Sequence, residues 1–358
     1  MATVITAWSA ISPFGHGHEP FADGVAAGVP APTAEAPDDW FPDAGPAHLV
    51  PGFDITTLLG RKGTSSMDRT TALAVHTVGQ VQKDEPGSVL PNARTGVVLG
   101  TTSGSTLTQF AFTADSLTRR KPYFVNPAQM PFALMNSAAA RSASWYGLTG
   151  PNTTLAAGRL SGIAVLRHAG RLLRTGRASG VFAGAAEEYS GARALLECRV
   201  GNAAPLGEGC AMLFLQPGIR GNRSAVAEVV ALDTRLATDG EPRRALVECL
   251  QVSLTGVAPD EVWGLAVSGV DTMESEAVGE VLGTRVDRVV APSRLIGDTG
   301  AATGMFGLAA LFALAERAGD ARGRVAVATA VDRDGMVGCV VVRLLGGSGS
   351  SMRVRGVR

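Results

Sequence analysis

An α/β fold made of two duplicated halves is predicted by three features of the sequence. Short apolar runs of strand length alternate with helix-length segments, and Gly-containing turns separate them. Each half gives a strand, a Gly/Ala-rich helix and a strand, which points to an internal duplication. The 45 glycines, set against 5% aromatic residues, suit tight turns and close helix-on-sheet packing. The halves are expected over 1–216 and 217–345, divided at Pro217-Gly218, and the Gly/Ser-rich tail 346–358 is expected to be disordered.

In order, Thr3 to Trp8 reads as a first strand, and the Pro-, Gly- and Asp-rich stretch to about residue 60 reads as ordered loop with little regular structure. Met67 to Val81 has helical apolar spacing, broken by Pro86, Gly87 and Pro91. Gly96 to Leu99 is short and wholly apolar, as a central strand covered on both faces would be. Gln109 to Leu117 and Met130 to Trp145 read as helices around a Pro-marked extended piece, Pro122 to Pro127. A short buried strand then leads through a turn at Ala157 to Arg159 into a helix, and Gly180 to Glu188 forms the next strand. Cys210 to Leu215 closes the first half. In the second half Ala225–Leu232, Val262–Val267, Val325–Ala330 and Gly338–Leu344 read as strands, and Glu241–Leu250 and Glu274–Leu282 as helices. Gly300 to Glu316, apolar all round, reads as a helix buried between two sheets.

Composition narrows the function. With 46% hydrophobic residues the 358-residue chain has ample material for a core. The 32 basic and 32 acidic residues leave no charge excess to attract nucleic acid or an anionic membrane. Cys198, Cys210, Cys249 and Cys339 are widely spaced and read as buried thiols of a reducing compartment, with neither a metal site nor a cofactor implied. The segment Met1 to Trp8 lacks the charged and apolar parts of a leader, and no stretch reaches about 18 apolar residues. A cytoplasmic protein is expected.

The turn at Ala157 to Arg159 has the shape of a nucleophile elbow: a strand fixes the backbone, the turn holds one side chain out, and a helix N-terminus behind it favours an anion. Its exposed position holds Arg159. Arginine cannot attack an acyl group, and a cation there opposes the helix dipole by about 0.3–1 kcal/mol. Taken alone, Arg159 also fits a solvated residue that opens a helix.

From Gly96 to about Leu345 the chain resembles the β-ketoacyl synthases of the thiolase-like superfamily. The resemblance rests on six pieces in family order. These are Gly96-Val-Val-Leu-Gly100 with Thr101 to Ser105, Asn126 to Asn136, Trp145 to Asn152, the elbow, Ala183-Gly-Ala-Ala-Glu-Glu188, and Ile296-Gly-Asp-Thr-Gly-Ala-Ala-Thr-Gly304. It implies the thiolase-like fold, five layers ordered α-β-α-β-α. It also implies a Cys nucleophile and two His, which carry the acyl chain and stabilise the enolate and the thioester oxyanion. Here Arg159 stands at the nucleophile's place, Ser268 near the first His and Asp298 at the second, with Ser293 where a lysine is usual. His16, His18, His48, His76 and His168 all lie outside these places, and Val331 to Gly338 replaces a Gly-Phe-Gly-rich gate loop. The catalytic triad is absent, and losing even one member of such a unit costs orders of magnitude in rate.

A decayed site on an intact scaffold resembles the chain-length factors, noncatalytic ketosynthase-like subunits of type II polyketide synthases. Those usually carry Gln at the nucleophile position. Arg159 departs from that pattern, which argues against malonyl decarboxylation and resembles more the factors of polyene-forming systems. The resemblance implies a catalytic ketosynthase partner and an acyl carrier protein, with no nucleic acid and no membrane. Phe110, Phe112, Met130, Phe132, Leu134 and Met135 read as ordinary core on pattern alone; the resemblance places them at the acyl tunnel and dimer face. Arg159 is expected to pair with Asp298, with Asp332 or Asp334 as further partners, because an unpaired buried arginine is costly. Two other functions compete: an acyltransferase or thioesterase using Ser161 or Ser268, and a homodimeric carrier-protein binding module.

Overall fold

The computed structural model describes residues 2–36, 40–41, 45–84, 92–218, 225–269, 272–283, 286 and 288–347. The predicted tail therefore lies outside the described residues from 348 on. Gly347 is ordered, donating its N–H to the Ala225 carbonyl.

The first half comprises β1 (Thr3–Ser12), β2 (Gly15–His16), α1 (His18–Ala27), α2 (Ile55–Leu59), α3 (Arg69–Asp84), β3 (Thr95–Gly100), α4 (Thr106–Thr118), α5 (Ser137–Tyr146), β4 (Asn152–Leu155), α6 (Ser161–Arg174), β5 (Gly180–Glu187), α7 (Gly191–Arg199) and β6 (Gly209–Pro217). The second comprises β7 (Ala227–Leu236), α8 (Pro242–Ser253), β8 (Val262–Ala266), α9 (Thr272–Leu282), β9 (Val289–Val290), α10 (Pro292–Ile296), α11 (Thr303–Arg317), β10 (Val325–Val331) and β11 (Met336–Leu344).

Strand order makes the duplication explicit. The path β4-β3-β5-β6-β1 continues as β7-β11-β10-β8-β9, so read from the two edges inward the halves are 4-3-5-6-1 and 9-8-10-11-7. Both carry the same pairing: parallel, parallel, antiparallel, antiparallel. They meet where β1 pairs with β7 through Thr3↔Val229, Val4↔Glu228 and Ile5↔Ala227.

Three apolar clusters give the layers. α3 and α5 cover the outer face of the first half-sheet through Leu73, Val78, Ala138 and Ala139 against Val97, Leu99 and Met212. Residues of α6 and α11, among them Val165, Leu172, Phe306 and Phe312, pack against strand residues of both halves, including Val98, Leu213, Ala326 and Val340. α8 and α9 cover the second outer face through Leu246, Leu250 and Val278. The result is the thiolase-like α-β-α-β-α stack. α11 is buried at every position from Thr303 to Ala313, as its all-round apolarity requires. An alanine in place of Gly162 would put its Cβ 2.8 Å from Met305 Cγ, so that glycine sets how closely α6 approaches α11.

Four sequence expectations need correction. The stretch before residue 60 contains α1, which buries Phe21, Ala22 and Val25 and stops at Gly28 in the left-handed region, φ 66°. Met130 to Trp145 is not one helix. A 3₁₀ segment, Pro127–Ala133, precedes α5, because Pro131 has no N–H to continue a ladder and Leu134 is extended. β4 is a half-exposed edge strand, not a buried one. Of the cysteines, Cys198 is exposed; Cys210, Cys249 and Cys339 are buried. Among the described residues no helix is long and apolar enough to cross a membrane, and no group of three potential ligands could hold a metal ion.

Candidate functional site: an occupied elbow

The elbow between β4 and α6 forms as the sequence predicts. Gly158 takes φ +52°, where a Cβ would sit 1.5 Å from Asp332 Oδ2, so only glycine fits. Ser161, the first residue of α6, closes the turn, its hydroxyl donating to the Gly158 carbonyl (2.7 Å) and accepting from the Ala157 N–H (2.9 Å). Arg159 is a buried residue, not a solvated one. It is 6% exposed and Asp298 is 1% exposed.

The two side chains meet as expected, Arg159 Nη2 donating to Asp298 Oδ2 at 2.5 Å. The Asp298 carboxylate is held further by the Gly300 N–H on Oδ1 (2.9 Å) and Asn202 Nδ2 on Oδ2 (2.9 Å). Asp332 takes the Arg159 backbone N–H at 2.7 Å. Asp334 instead accepts the Met336 N–H and turns its own loop. Burial raises the Asp298 pKa, but the Arg159 charge, its hydrogen bond, the Arg193 charge and the Gly300 amide outweigh it and hold the carboxyl at about 2. The pair is therefore ionised at neutral pH.

A second tier adjoins it. Arg333 bonds Glu197 at 2.9 Å, and Glu197 also accepts from Asn202 Nδ2 at 2.9 Å. This chain ties α7 to the loop after β10, beside a cavity of about 360 Å³ lined by Arg159, Asn202, Ala203, Val331 and Arg333. Arg193 fastens the floor through Nη1 to the Glu188 and Gly207 carbonyls (2.8 Å each) and Nη2 to the Asp298 carbonyl (2.9 Å). Asn202, Glu197, Arg193 and Arg333 were not foreseen from sequence. They carry no motif, and only the fold brings 193–202 against 298 and 333.

Ser268 belongs to another network. Its hydroxyl donates to Glu274 Oε2 (2.5 Å) and its carbonyl accepts from the Ser293 hydroxyl (2.5 Å). Thr329 donates to the same buried Glu274 at 2.5 Å. Ser161 and Ser268 thus both have committed hydroxyls, and neither is bonded to a histidine among the described residues. The histidines are used elsewhere: His18 pairs with Glu316 (2.8 Å), His168 meets the Thr153 hydroxyl (3.2 Å), and His76 meets Gln80 (3.2 Å).

The aromatic and Met set is not core. Met130 (46%), Leu134 (46%) and Met135 (44%) are exposed, and Phe110, Phe112 and Phe132 are half-buried. Phe110 leans edge-on against Trp40 with ring centroids 5.5 Å apart. Leu117, Tyr123 and Phe124, at a helix end and in the loop that follows, are more exposed still. A groove of about 580 Å³ between the loop at 63–66, the 3₁₀ segment and α5 includes Phe132 and Leu134.

Known proteins resemble this arrangement. Residues 2–204 match the family described as beta-ketoacyl synthase, N-terminal domain. The ishigamide ketosynthase/chain length factor is 39% identical, superposes with a TM-score of 0.91, and is matched over 97% of this chain and 100% of that one. A type II polyketide synthase ketosynthase solved with its acyl-carrier protein shares the fold at 17% identity, TM-score 0.79, over 96% of this chain and 99% of that one. The 3-oxoacyl-[acyl-carrier-protein] synthase 2 of Vibrio harveyi is 29% identical over 40% of this chain; the match spans 35% of that relative's length.

Proposed function

The chain belongs to the β-ketoacyl synthase family, and from that premise we propose that it is a noncatalytic chain-length factor of a type II polyketide synthase. It pairs with an active ketosynthase and shapes the space offered to the acyl chain carried by an acyl carrier protein. The observation that carries this reading is the buried Arg159–Asp298 ion pair at the elbow. It puts a cation where a thiolate would have to form, and the Asp298 carboxylate is taken up by Arg159, Asn202 and the Gly300 N–H, while the buried Arg159 Nε has no hydrogen-bond partner among the described residues. Arg159, Ser268 and Asp298 are on this reading the remnants of a Cys-His-His triad.

The half-exposed apolar face supports the pairing. Leu117, Tyr123, Phe124, Met130, Leu134 and Met135 form the kind of patch that marks a protein interface. β4 beside it is a sheet edge with unpaired backbone groups, open to a strand from another chain. Phe110, Phe112, Met130 and Phe132 are the proposed tunnel floor. A bulky side chain there stops the growing chain sterically, since overpacking a tight cavity costs roughly 1–3 kcal/mol.

The test is to reconstitute the pair with its ketosynthase and carrier protein and shorten each of Phe110, Phe112, Met130 and Phe132 to Ala in turn. Longer products from at least one variant, read by mass spectrometry, are expected. Unchanged products from all four would remove the ruler role.

A further inference from the structure

We propose that Glu188 is the positioning residue that fixes where α4 stands, and through α4 the depth of the space available to the acyl chain. The inference rests on the tunnel-shaping reading above and concerns how its floor is held.

Of the 13 residues of α4, only Thr106 is buried. A helix that carries Phe110 and Phe112 but buries so little is poorly fixed by its own packing. Its N-terminus supplies the fixing. Ser105 is the N-cap, its hydroxyl accepting the Thr108 N–H at 3.2 Å and donating to Glu188 Oε1 at 3.0 Å. The Leu107 N–H donates to the same oxygen at 3.2 Å. One carboxylate, placed at the exit of β5, thereby takes both the cap and a free first-turn N–H and faces the positive end of the helix dipole. Glu187 beside it accepts from the Thr102 N–H and from the Thr101 hydroxyl (3.3 Å), pinning the preceding turn.

Among the described residues no cation forms a close ion pair with Glu188, though the Arg69 charge on α3 acts on it from farther off. Arg193 reaches its backbone carbonyl and lies 4.0 Å from Glu187. Arg69, from α3, is committed to Glu208 through both Nε (2.6 Å) and Nη2 (2.5 Å). Asp68, just before α3, is a further buried acid. Glu188 thus takes its hydrogen bonds from Ser105 and the Leu107 N–H at the start of α4, with the Thr70 side chain and the Arg69 charge of α3 adding to them, and the start of α4 in turn depends on that charge. Burial first, and the Asp68 charge second, push the Glu188 carboxyl up to about 7 against the pull of those hydrogen bonds. The anchor is therefore ionised in part at neutral pH, and its hold on α4 strengthens as pH rises.

The experiment uses the reconstituted pair with its carrier protein, assayed at pH 6 and pH 8, with product length as the readout. Wild type is expected to shift its length distribution between the two. Glu188→Gln is expected to broaden the distribution, at least halving the share of the main product, and to abolish the pH response. Ser105→Ala, which breaks the same anchor from the α4 side, is read in parallel and should broaden it likewise, so a Glu188 variant that fails to assemble leaves the decision to Ser105→Ala. Phe110→Ala and Phe112→Ala serve as the arm for the underlying reading. If they change product length while the anchor variants keep both the wild-type distribution and its pH response, Glu188 is not the positioning residue and the tunnel reading stands. If no variant changes length, both fall.

Discussion

Arg159 is the residue on which the chemistry turns. Removing one member of a buried pair leaves the other charge uncompensated, at a cost of about 3–5 kcal/mol, more than any exposed ion pair contributes. Arg159→Ala is accordingly expected to lower unfolding free energy by that order in urea titrations at pH 7. The pH dependence follows from Asp298, whose carboxyl is depressed from 3.8 to about 2. A depressed acid contributes stability that is fully present above its unfolded value and is lost as pH falls through the folded one. The contribution, about 2 kcal/mol, should thus be present above pH 4 and disappear toward pH 2 in wild type, and Arg159→Ala should lack most of this step. An equal acid transition in both proteins would mean that the pair is not ionised as described.

At the scale of elements, the turn that presents Arg159 was legible because its constraint is local. A glycine before the exposed position, a strand before it and a Ser-opened helix after it are all written in consecutive residues. The buried α11 was legible for the same reason, its apolarity running all round. The 3₁₀ segment before α5 was not, because one proline overrode a helical spacing that continued on both sides. Nor was α1, whose 10 residues bury only three side chains and sit among loop-forming prolines and glycines. The Asn202–Glu197–Arg333 bridge had no local signature at all, since residues 136 apart in sequence make its outer bond. Gly158→Ala tests the turn. The φ of +52° and the overlap with Asp332 should together destabilise the protein by more than the roughly 1 kcal/mol of a left-handed alanine. Crystallography or amide exchange should show the Arg159 N–H released from Asp332. A neutral substitution would mean that the backbone there relaxes freely.

For the whole molecule the important asymmetry lies at the sheet edges. β4 pairs with β3 through carbonyls at Pro151 and Leu155, which turn inward to the Val97 and Thr101 N–H groups. By the alternation of a parallel ladder, Asn152 and Thr154 direct their backbone groups outward. Thr154→Pro should leave the fold of the isolated chain intact by circular dichroism yet weaken pairing with the ketosynthase at least tenfold by analytical ultracentrifugation, because proline offers no N–H to an added strand. Full-strength pairing in that variant would place the interface elsewhere.

The seam between β1 and β7 carries a consequence for how such a protein is made. Apart from the short return of β2 at Gly15–His16, β1 finds its neighbours only at residues 209–217 and 227–229. Closing so large a loop is slow compared with forming local contacts. A ribosome therefore emits most of the first half before most of β1 can pair, and during that interval a strand whose every residue is buried in the folded protein stands bare. Cells producing this chain in excess should be sensitive to whatever shields nascent polypeptides, and the yield of native protein should respond to translation speed before residue 230 more than after it.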